Sequence, residues 1–226
     1  REFEKKFQNY TKSNFSTGVS NATAGLMLSL KALDISENDE IIIPDMTFVA
    51  TANAVLSCNA TPVLADVTYE DLNISIDSIE ESITNKTRAI IPVHFAGKSC
   101  NMKQIMRIAK KYDLKIVEDC AHALGTFYNK KHVGTFGDTG CFSFYPTKNL
   151  TTFEGGMIIS KAKKITERLR RSRNHGINKS LKDRFTRGQP WEFDIEELGF
   201  NFRLDEIRSA LGNNQLKRLR SMNTQR

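Results

Sequence analysis

The amino-acid sequence predicts a three-layer α/β/α domain built on a mainly parallel sheet. Short β-rich runs alternate with helical segments over the first 177 residues, a pattern typical of helices packed on both faces of a parallel sheet. Most of these runs are apolar at consecutive positions, as expected for strands buried on both faces. With 226 residues, the chain can bury one substantial core, so we expect one large domain.

The predicted strands and helices follow one another along the chain. Strands are expected at 40–44, 61–67, 88–95, 114–119, 140–145 and 156–160. Helices are expected at 23–33, 47–58, 75–83, 101–112 and 162–173. The helix at 101–112 has the clearest start signal, because Asn101 followed by Gln104 resembles a capping box and apolar side chains then recur at helical spacing. The first ten residues and those after 203 also read as helix.

The pattern changes after residue 177. The polar segment 178–200 has no clean periodicity, and we interpret it as a surface loop or a subunit-contact loop. We therefore predict a large α/β domain over 1–177. Over 178–226 we predict a loop and a helix that contact a second subunit.

The composition argues against membrane and nucleic-acid-binding proteins. The chain is 39% hydrophobic and 26% charged, as in ordinary globular proteins, and no apolar run approaches the roughly 20 residues that span a bilayer. Much of the net charge of +7 comes from 161–173 and from the C-terminal residues. Both stretches read as solvated helix faces, because they lack the aromatic residues of nucleic-acid-binding surfaces.

The four cysteines are scattered along the chain without a C-x-x-C pair. This spacing argues against a zinc site or a disulfide framework and favours a reducing cytoplasm. Cys120 follows an acidic residue, and we interpret it as a small buried side chain rather than as a nucleophile. We therefore predict a cytoplasmic protein with no bound metal.

Asp119 and Lys148 are the residues with the most chemical content. Asp119 ends an apolar run, where parallel sheets bind ligands. A carboxylate there needs a cationic partner, which a protonated pyridine ring, an arginine or a helix N-terminus could supply. Lys148 lies in a polar turn that precedes two glycines. Such a pair is what pyridoxal phosphate (PLP) chemistry requires: the lysine forms a Schiff base with the aldehyde, and the acid keeps the pyridine nitrogen protonated.

Other candidate residues each have two interpretations. The first N–H groups of the helix at Thr23 and Ala24 suit a phosphate, or they belong to an ordinary capped helix. Phe48 is either a core residue or a ring on which a planar cofactor stacks. His122 contacts either a cofactor oxygen or a core hydrogen-bond partner. Alternation turns Ser143 away from its two aromatic neighbours, so its hydroxyl is available to a phosphate or to nearby backbone.

Together, and in this order, the motifs resemble those of the DegT/DnrJ/EryC1/StrS sugar aminotransferases. The resemblance covers almost the entire chain and is carried by SNATAGLMLSLKAL, IIIPDMTFVATANAVLSCNATPVLADV, AIIPVHFAGKSCNMKQIMRIAKKYDLKIVEDCAHALG, KHVGTFGDTGCFSFYPTKNLTTFEGGMIIS and GFNFRLDEIRSALG. It implies the large domain of a PLP-dependent transferase of fold type I, the aspartate aminotransferase architecture. It also implies that the small C-terminal domain of the family is absent.

The resemblance implies roles around the cofactor ring. Lys148 would be the Schiff-base lysine, and Asp119 would pair with the pyridine nitrogen. His122 would lie beside the ring and its oxygen. Phe48 would stack on the ring face.

The resemblance also implies a shared phosphate site. Thr23, Ala24 and Ser143 would hold the phosphate of the cofactor. Asn201 matches an asparagine that reaches the phosphate bound by the neighbouring subunit, so a homodimer is implied. The RNHGI segment with His175 also matches, without an assigned role.

The implied reaction is the ping-pong transfer of an amino group from an amino acid, with glutamate as the expected donor. The acceptor is a nucleotide-linked keto sugar, in cell-surface polysaccharide or related amino-sugar biosynthesis. Two alternatives stay open: a PLP-dependent sugar dehydratase of the same family, against which Lys148 argues, and a truncated, inactive PLP-fold protein. Phe153 stands where the family commonly has glycine. The sequence leaves open the sugar, the aminated carbon, the pathway and the activity of this chain on its own.

Overall fold

The computed structural model describes residues 1–179, 185–186 and 191–225. Its helices are α1 (Glu2–Thr11), α2 (Ala22–Ala32), α3 (Ala50–Leu56), α4 (Ile76–Glu81), α5 (Met102–Tyr112), α6 (Lys163–Ser172) and α7 (Glu206–Thr224). Its strands are β1 (Phe15–Val19), β2 (Glu40–Pro44), β3 (Thr61–Ala65), β4 (Thr87–Ile90), β5 (Lys115–Asp119), β6 (Phe127–Tyr128), β7 (Lys131–His132), β8 (Thr139–Ser143) and β9 (Gly156–Ser160). Of the predicted loop at 178–200, residues 180–184 and 187–190 lie outside the described residues.

Seven strands form one sheet in the order β1-β9-β8-β5-β4-β2-β3. The pairs from β3 through β2, β4 and β5 to β8 are all parallel. Strand β9 is antiparallel to both β8 and β1, so β9 alone runs against the other six strands of this sheet. The predicted mainly parallel sheet is confirmed.

Alternate residues of one strand face two different helical layers. In β2, Ile41 and Ile43 belong to a core shared with α2 and α3, whereas Ile42 belongs to a core shared with α4 and α5. All three isoleucines are fully buried. Burial of both faces confirms the predicted three-layer arrangement and explains why the strand reads as a continuous apolar run.

The predicted strand at 88–95 is too long. Strand β4 ends at Ile90, because Pro92 has no N–H group to donate to a neighbouring strand. The chain nevertheless stays beside its neighbours, since the Ile91 N–H donates to Ile42 O (2.8 Å) and Pro92 O accepts from the Asp119 N–H (2.9 Å). The segment after Ile90 therefore still reaches the same sheet edge as Asp119.

Helix α5 confirms its predicted start and apolar face. The Asn101 Oδ1 accepts a bond from the Gln104 N–H, although the reciprocal bond joins the two side chains rather than Gln104 to the Asn101 backbone. Met102, Ile105 and Ala109 are buried. Within the described ranges, no helix combines the length and apolar character needed to cross a bilayer.

Candidate active site

Asp119 lies at the carboxyl end of β5, in the middle of the sheet. Its parallel neighbours β4 and β8 end at the same edge, which is where such sheets hold ligands. The residue is 6% exposed. The predicted position of this carboxylate is therefore confirmed.

Each oxygen of the Asp119 carboxylate accepts one identified hydrogen bond. Oδ2 accepts from the Thr51 hydroxyl (3.1 Å) and Oδ1 accepts from the Ala121 N–H (3.0 Å). Because Thr51 donates to Asp119, its own oxygen accepts from the Thr47 hydroxyl (2.8 Å). A carboxylate accepts about four bonds, so Asp119 is held in place with capacity left for a further donor.

Lys148 lies close enough to Asp119 for the two charges to interact. Partial burial lowers the pKa of the Lys148 ammonium, and the Asp119 carboxylate acts in the opposite direction. Lys148 also lines a cavity of about 280 Å³ together with Ala96, His122, Thr147 and Asn149. A larger hollow of about 470 Å³ is lined by other residues and contains none of the predicted site residues.

His122 lines the same cavity as Lys148, within reach of the charges of both Lys148 and Asp119. Burial lowers its pKa, and the Lys148 charge lowers it further against the influence of Asp119. Its Nδ1 atom is buried and has no hydrogen-bond partner among the described residues. A buried nitrogen without a partner is costly, so a bound group that supplied a hydrogen bond to this atom would relieve that cost.

The start of α2 lies beside Ser143. Gly156 is the cross-strand partner of Ser143 in β8 and β9, and a Cβ atom on Gly156 would lie 2.7 Å from the Asn21 carbonyl carbon and 2.9 Å from the Ala22 nitrogen. Because the chain needs glycine for this close approach, the helix N-terminus and the end of β8 form one corner of the site. Thr23 is exposed there.

The Ala24 N–H already has a partner. It donates to the Asn21 side chain (2.8 Å), which caps α2. The ordinary capping interpretation therefore holds for this group, and a phosphate would have to share the donor or displace the Asn21 side chain. The predicted role of Ala24 in phosphate binding stays a prediction.

Ser143 is oriented as predicted, because its neighbours Phe142 and Phe144 are fully buried while Ser143 is half-buried. Its oxygen accepts a long bond from the Tyr145 N–H (3.4 Å), which leaves the hydroxyl proton free to donate.

Phe48 is 73% exposed, so it is not the core residue that a lone phenylalanine usually is. It adjoins Thr47, whose hydroxyl leads through Thr51 to Asp119.

Phe153 has an unusual backbone next to the lysine turn. Its φ is 65°, a left-handed conformation that costs about 1 kcal/mol or more for a residue with a Cβ atom. The side chain is 71% exposed, and the N–H donates to the Thr151 hydroxyl (3.0 Å). The conformation explains why glycine suits this position, and the bulky ring lies outside the core.

Asn201 is exposed on the protein surface and is not among the residues that line the cavity of Lys148 and His122. Its backbone pairs with Asn174 in an antiparallel bridge, and the next residue, Phe202, accepts a bond from the Ser20 N–H (2.9 Å). The structure therefore places Asn201 near the chain that enters α2, with its side chain exposed. A role toward a second subunit stays a prediction.

Glu118, the neighbour of Asp119, faces the opposite side of the sheet and is fully buried. Its Oε2 accepts from His94 Nε2 (3.1 Å) and the Gly134 N–H (2.7 Å), and its Oε1 accepts from the Phe136 and Gly137 N–H groups (2.7 and 2.6 Å). Burial alone would raise the pKa of Glu118, but these donors outweigh burial and lower it. Sequence reasoning missed Glu118 and Thr51, since their partners are remote in sequence.

His94, Glu118 and Cys120 lie close enough together to suggest metal ligands. However, His94 Nδ1 accepts from the Cys100 N–H (3.1 Å), so both ring nitrogens are already engaged. Burial raises the pKa of the Cys120 thiol well above its ordinary value, and metals bind the thiolate. We therefore interpret this cluster as structural, and Cys120 is the buried small residue that the sequence predicts.

These features fit the predicted cofactor. The Asp119 carboxylate has capacity for a pyridine N–H, the buried Nδ1 of His122 lacks a hydrogen-bond partner among the described residues, and the pKa of Lys148 is lowered. At the corner formed by α2 and Ser143, the Ser143 hydroxyl lies beside a helix N-terminus, the kind of place that suits a phosphate.

Comparison with known proteins gives a consistent result. The model of the DegT/DnrJ/EryC1/StrS aminotransferase family matches residues 1–226. GDP-perosamine synthase of Escherichia coli O157:H7 is 40% identical over 217 residues, which cover 96% of this chain and 57% of the relative. Spore coat polysaccharide biosynthesis protein SpsC of Bacillus subtilis is 38% identical over 226 residues, covering 100% of this chain and 58% of the relative.

A solved structure extends the likeness to the fold. NtdA from Bacillus subtilis, with bound cofactor PMP, superimposes with a TM-score of 0.87 at 30% identity, over 96% of this chain and 47% of NtdA. The chain thus spans somewhat more than half the length of the curated relatives it matches.

Proposed function

Since the chain belongs to the DegT/DnrJ/EryC1/StrS aminotransferase family, we propose that it carries the PLP site of an enzyme that aminates nucleotide-linked keto sugars. The proposed amino donor is an amino acid, with glutamate as our choice. The proposed setting is the biosynthesis of cell-surface polysaccharides or related amino sugars. The names of GDP-perosamine synthase and SpsC support this substrate class and this setting.

The observation that carries the proposal is the grouping of Asp119, His122 and Lys148 at the carboxyl edge of the sheet. The Asp119 carboxylate acts to raise the pKa of both His122 and Lys148, and the Lys148 charge acts to lower that of His122. Two of them line the same cavity of about 280 Å³. When bound, PLP supplies an electrophilic aldehyde and a ring that accepts electrons.

Lys148 is the proposed covalent attachment point and proton carrier. Burial lowers the pKa of its amine, so more of the amine is neutral, as a nucleophile or a base must be. Once displaced by the donor amine, the Lys148 Nζ would move a proton between the donor's α-carbon and the cofactor. The Lys148 N–H donates to Tyr145 O (2.9 Å). This bond closes a turn over 145–148 and fixes the backbone of Lys148.

Asp119 and His122 are proposed to hold the ring. Asp119 would keep the pyridine nitrogen protonated, because a buried carboxylate with remaining hydrogen-bond capacity favours a cationic partner. The neutral His122 imidazole would place its free Nδ1 near the ring oxygen. Phe48, exposed beside the Thr47 hydroxyl chain, would cover one ring face.

The phosphate is proposed to bind at the corner of α2 and β8. Thr23 and Ala24 would contribute from the helix N-terminus, and Ser143 would contribute its hydroxyl. Asn201 would reach the phosphate bound by a second subunit, which makes a homodimer part of the proposal. These contacts require only donors, in agreement with an anionic ligand.

The test is to locate the attachment point. The protein is mixed with PLP, its visible absorption is recorded, and the sample is reduced with borohydride and mapped by peptide mass spectrometry. We expect a pyridoxyl group on Lys148 and none in Lys148→Ala. Lys161→Ala is the matched control, because Lys161 is also partly buried with a lowered pKa and should leave the adduct unchanged.

Activity is then measured with glutamate and a nucleotide keto sugar. We expect an amino sugar from the wild type and from Lys161→Ala, and none from Lys148→Ala. Normal turnover by Lys148→Ala would overturn the proposed mechanism. A deoxy sugar instead of an amino sugar would favour the dehydratase alternative, and a folded protein without any adduct would favour the inactive PLP-fold alternative.

A further inference from the structure

The segment 201–203 is held by backbone bonds on two sides. On one side, the Phe202 N–H donates to Arg173 O (3.0 Å) and Asn201 pairs with Asn174. On the other side, Phe202 O accepts from the Ser20 N–H (2.9 Å). The backbone that presents Asn201 is therefore fixed between the chain leading into α2 and the chain leaving α6.

The Arg203 side chain bridges Asn201, on this segment, and Asn174, on the chain leaving α6. Its Nε donates to Asn201 Oδ1 (2.9 Å), and its Nη1 donates to Asn174 Oδ1 (3.2 Å). A guanidinium only donates hydrogen bonds, so the atom of Asn201 that faces Arg203 must be the amide oxygen. The planar amide then directs its NH₂ group away from Arg203.

We infer that Arg203 is a positioning residue, which orients the Asn201 amide so that its NH₂ group faces the phosphate bound by a second subunit. The inference rests on the proposed function, in which Asn201 makes that contact. Without Arg203, an exposed amide would rotate and present its oxygen to the phosphate part of the time, which repels. Asn174 holds the guanidinium from the far side and keeps its fork directed at Asn201.

The fork geometry distinguishes this role from simple attraction by a positive charge. Lysine keeps the charge but has a single ammonium on a flexible stem, and we expect it to be unable to hold both asparagines in place. Arg203→Lys should therefore weaken PLP binding nearly as much as Arg203→Met. Full affinity in Arg203→Lys would mean that charge alone matters, and it would overturn the inference.

The first experiment measures PLP dissociation constants from the visible absorption. We expect Asn201→Ala and Arg203→Met each to raise the dissociation constant about tenfold, the scale of one lost or freely rotating polar contact. The double variant should be no weaker than Asn201→Ala alone, because both changes remove the same contact. Arg208→Met is the matched control. Arg208 lies five residues after Arg203 and pairs with Asp205, so this variant should leave binding unchanged.

The second experiment tests whether Arg203 acts across the dimer. Arg203→Met subunits are co-expressed with Lys148→Ala subunits under two affinity tags, and the mixed dimer is isolated. One of its sites combines Lys148 of the first subunit with the intact Asn201 and Arg203 of the second. We expect that site to bind PLP with wild-type affinity, whereas a structural role within the Arg203→Met subunit would leave it weak.

The outcomes separate the two proposals. A wild-type protein that binds no PLP overturns the proposed function and this inference together. Wild-type binding that survives Asn201→Ala or Arg203→Met overturns the inference and leaves the Lys148 assignment standing. Additive losses in the double variant, or a mixed dimer as weak as Arg203→Met, also overturn it.

Discussion

Glu118 and Asp119 are adjacent in β5, yet their carboxylates meet opposite surroundings. Glu118 is fully buried and accepts four hydrogen bonds, two on each oxygen. Asp119 is nearly as buried, but its identified donors are Thr51 and Ala121, one on each oxygen. Successive side chains of a strand point to opposite faces of the sheet, so these two adjacent carboxylates contact different residues.

Burial alone does not separate the carboxylate that we interpret as structural from the one that we propose to bind the cofactor. The two differ in the number of hydrogen-bond donors around them. With about four acceptor positions filled, Glu118 has no capacity for a ligand and instead joins β5 to His94 and to the turn at 134–137. Asp119 keeps capacity beside a lysine with a lowered pKa, which is the state expected of a group that meets a charged ligand.

Asp119→Asn is the strongest test of the functional half of this comparison. Asparagine keeps the shape but carries no charge, so it cannot hold a pyridine nitrogen in its protonated form. We expect the rate of amino transfer to fall by a factor on the order of 10³, with little change in the unfolding midpoint. Turnover near the wild-type rate at saturating PLP would contradict the assignment of Asp119.

Glu118→Gln tests the structural half. One carboxylate oxygen becomes an NH₂ group that must face backbone N–H donors, and a buried donor is left opposing another donor. We expect the free energy of unfolding to fall by about 3 kcal/mol in chemical denaturation. The control is Glu167→Gln, an exposed residue paired with Lys163, for which we expect a change within about 0.5 kcal/mol. Equal effects in both variants would remove the distinction.

The same comparison predicts a pH dependence of stability. The folded-state pKa of Glu118 lies below its ordinary value of 4.5, so its stabilising contribution is complete above that pH and is lost as the pH falls through the folded pKa. Between those two pKa values, Glu118 contributes a slope of up to about 1.4 kcal/mol per pH unit. Urea unfolding of wild type and Glu118→Gln from pH 7 to pH 3 isolates this contribution. Parallel curves would show that Glu118 does not titrate as described.

Thr51→Val tests one of the two hydrogen bonds that hold the Asp119 carboxylate, and its expected effect is the smallest of these predictions. Valine matches threonine in shape but lacks the hydroxyl that donates to Asp119 (3.1 Å). We expect a loss of about 1 kcal/mol, or roughly fivefold, in PLP binding or in the amino-transfer rate. Titration calorimetry with PLP measures the first and steady-state kinetics the second. An unchanged variant would mean that Ala121 alone positions the carboxylate.

The sequence predicts the interior of this fold better than its edge. Strands β2 and β9 are found at their predicted bounds, because apolar runs identify buried strands. The edge strand β1 (FSTGV) was not predicted, since glycine, serine and threonine hide its periodicity. It gains its place by pairing with β9, which is far away in the chain.

In the candidate site, too, residues with a local sequence signal are predictable, whereas contacts with remote partners are not. The position of Asp119 is predictable because a strand ends there, and Ser143 is predictable from alternation. The donors that surround Glu118 are backbone groups of 134–137, and no local sequence pattern announces such partners. For the start of α2, the sequence allows either a phosphate site or an ordinary capped helix. The bond from the Ala24 N–H to the Asn21 side chain shows that the cap is formed.

The four donors around Glu118 also determine which residue of β5 faces the candidate active site. Side chains in a strand alternate with a period of two, so a shift of β5 by one residue would exchange the places of Glu118 and Asp119. Such a slip would leave four donors without a carboxylate of the right length, and it would direct the longer side chain toward the lysine. The four donors therefore fix the register of β5. We expect a single-residue insertion or deletion in β5 to lower the stability of the protein more than most substitutions there.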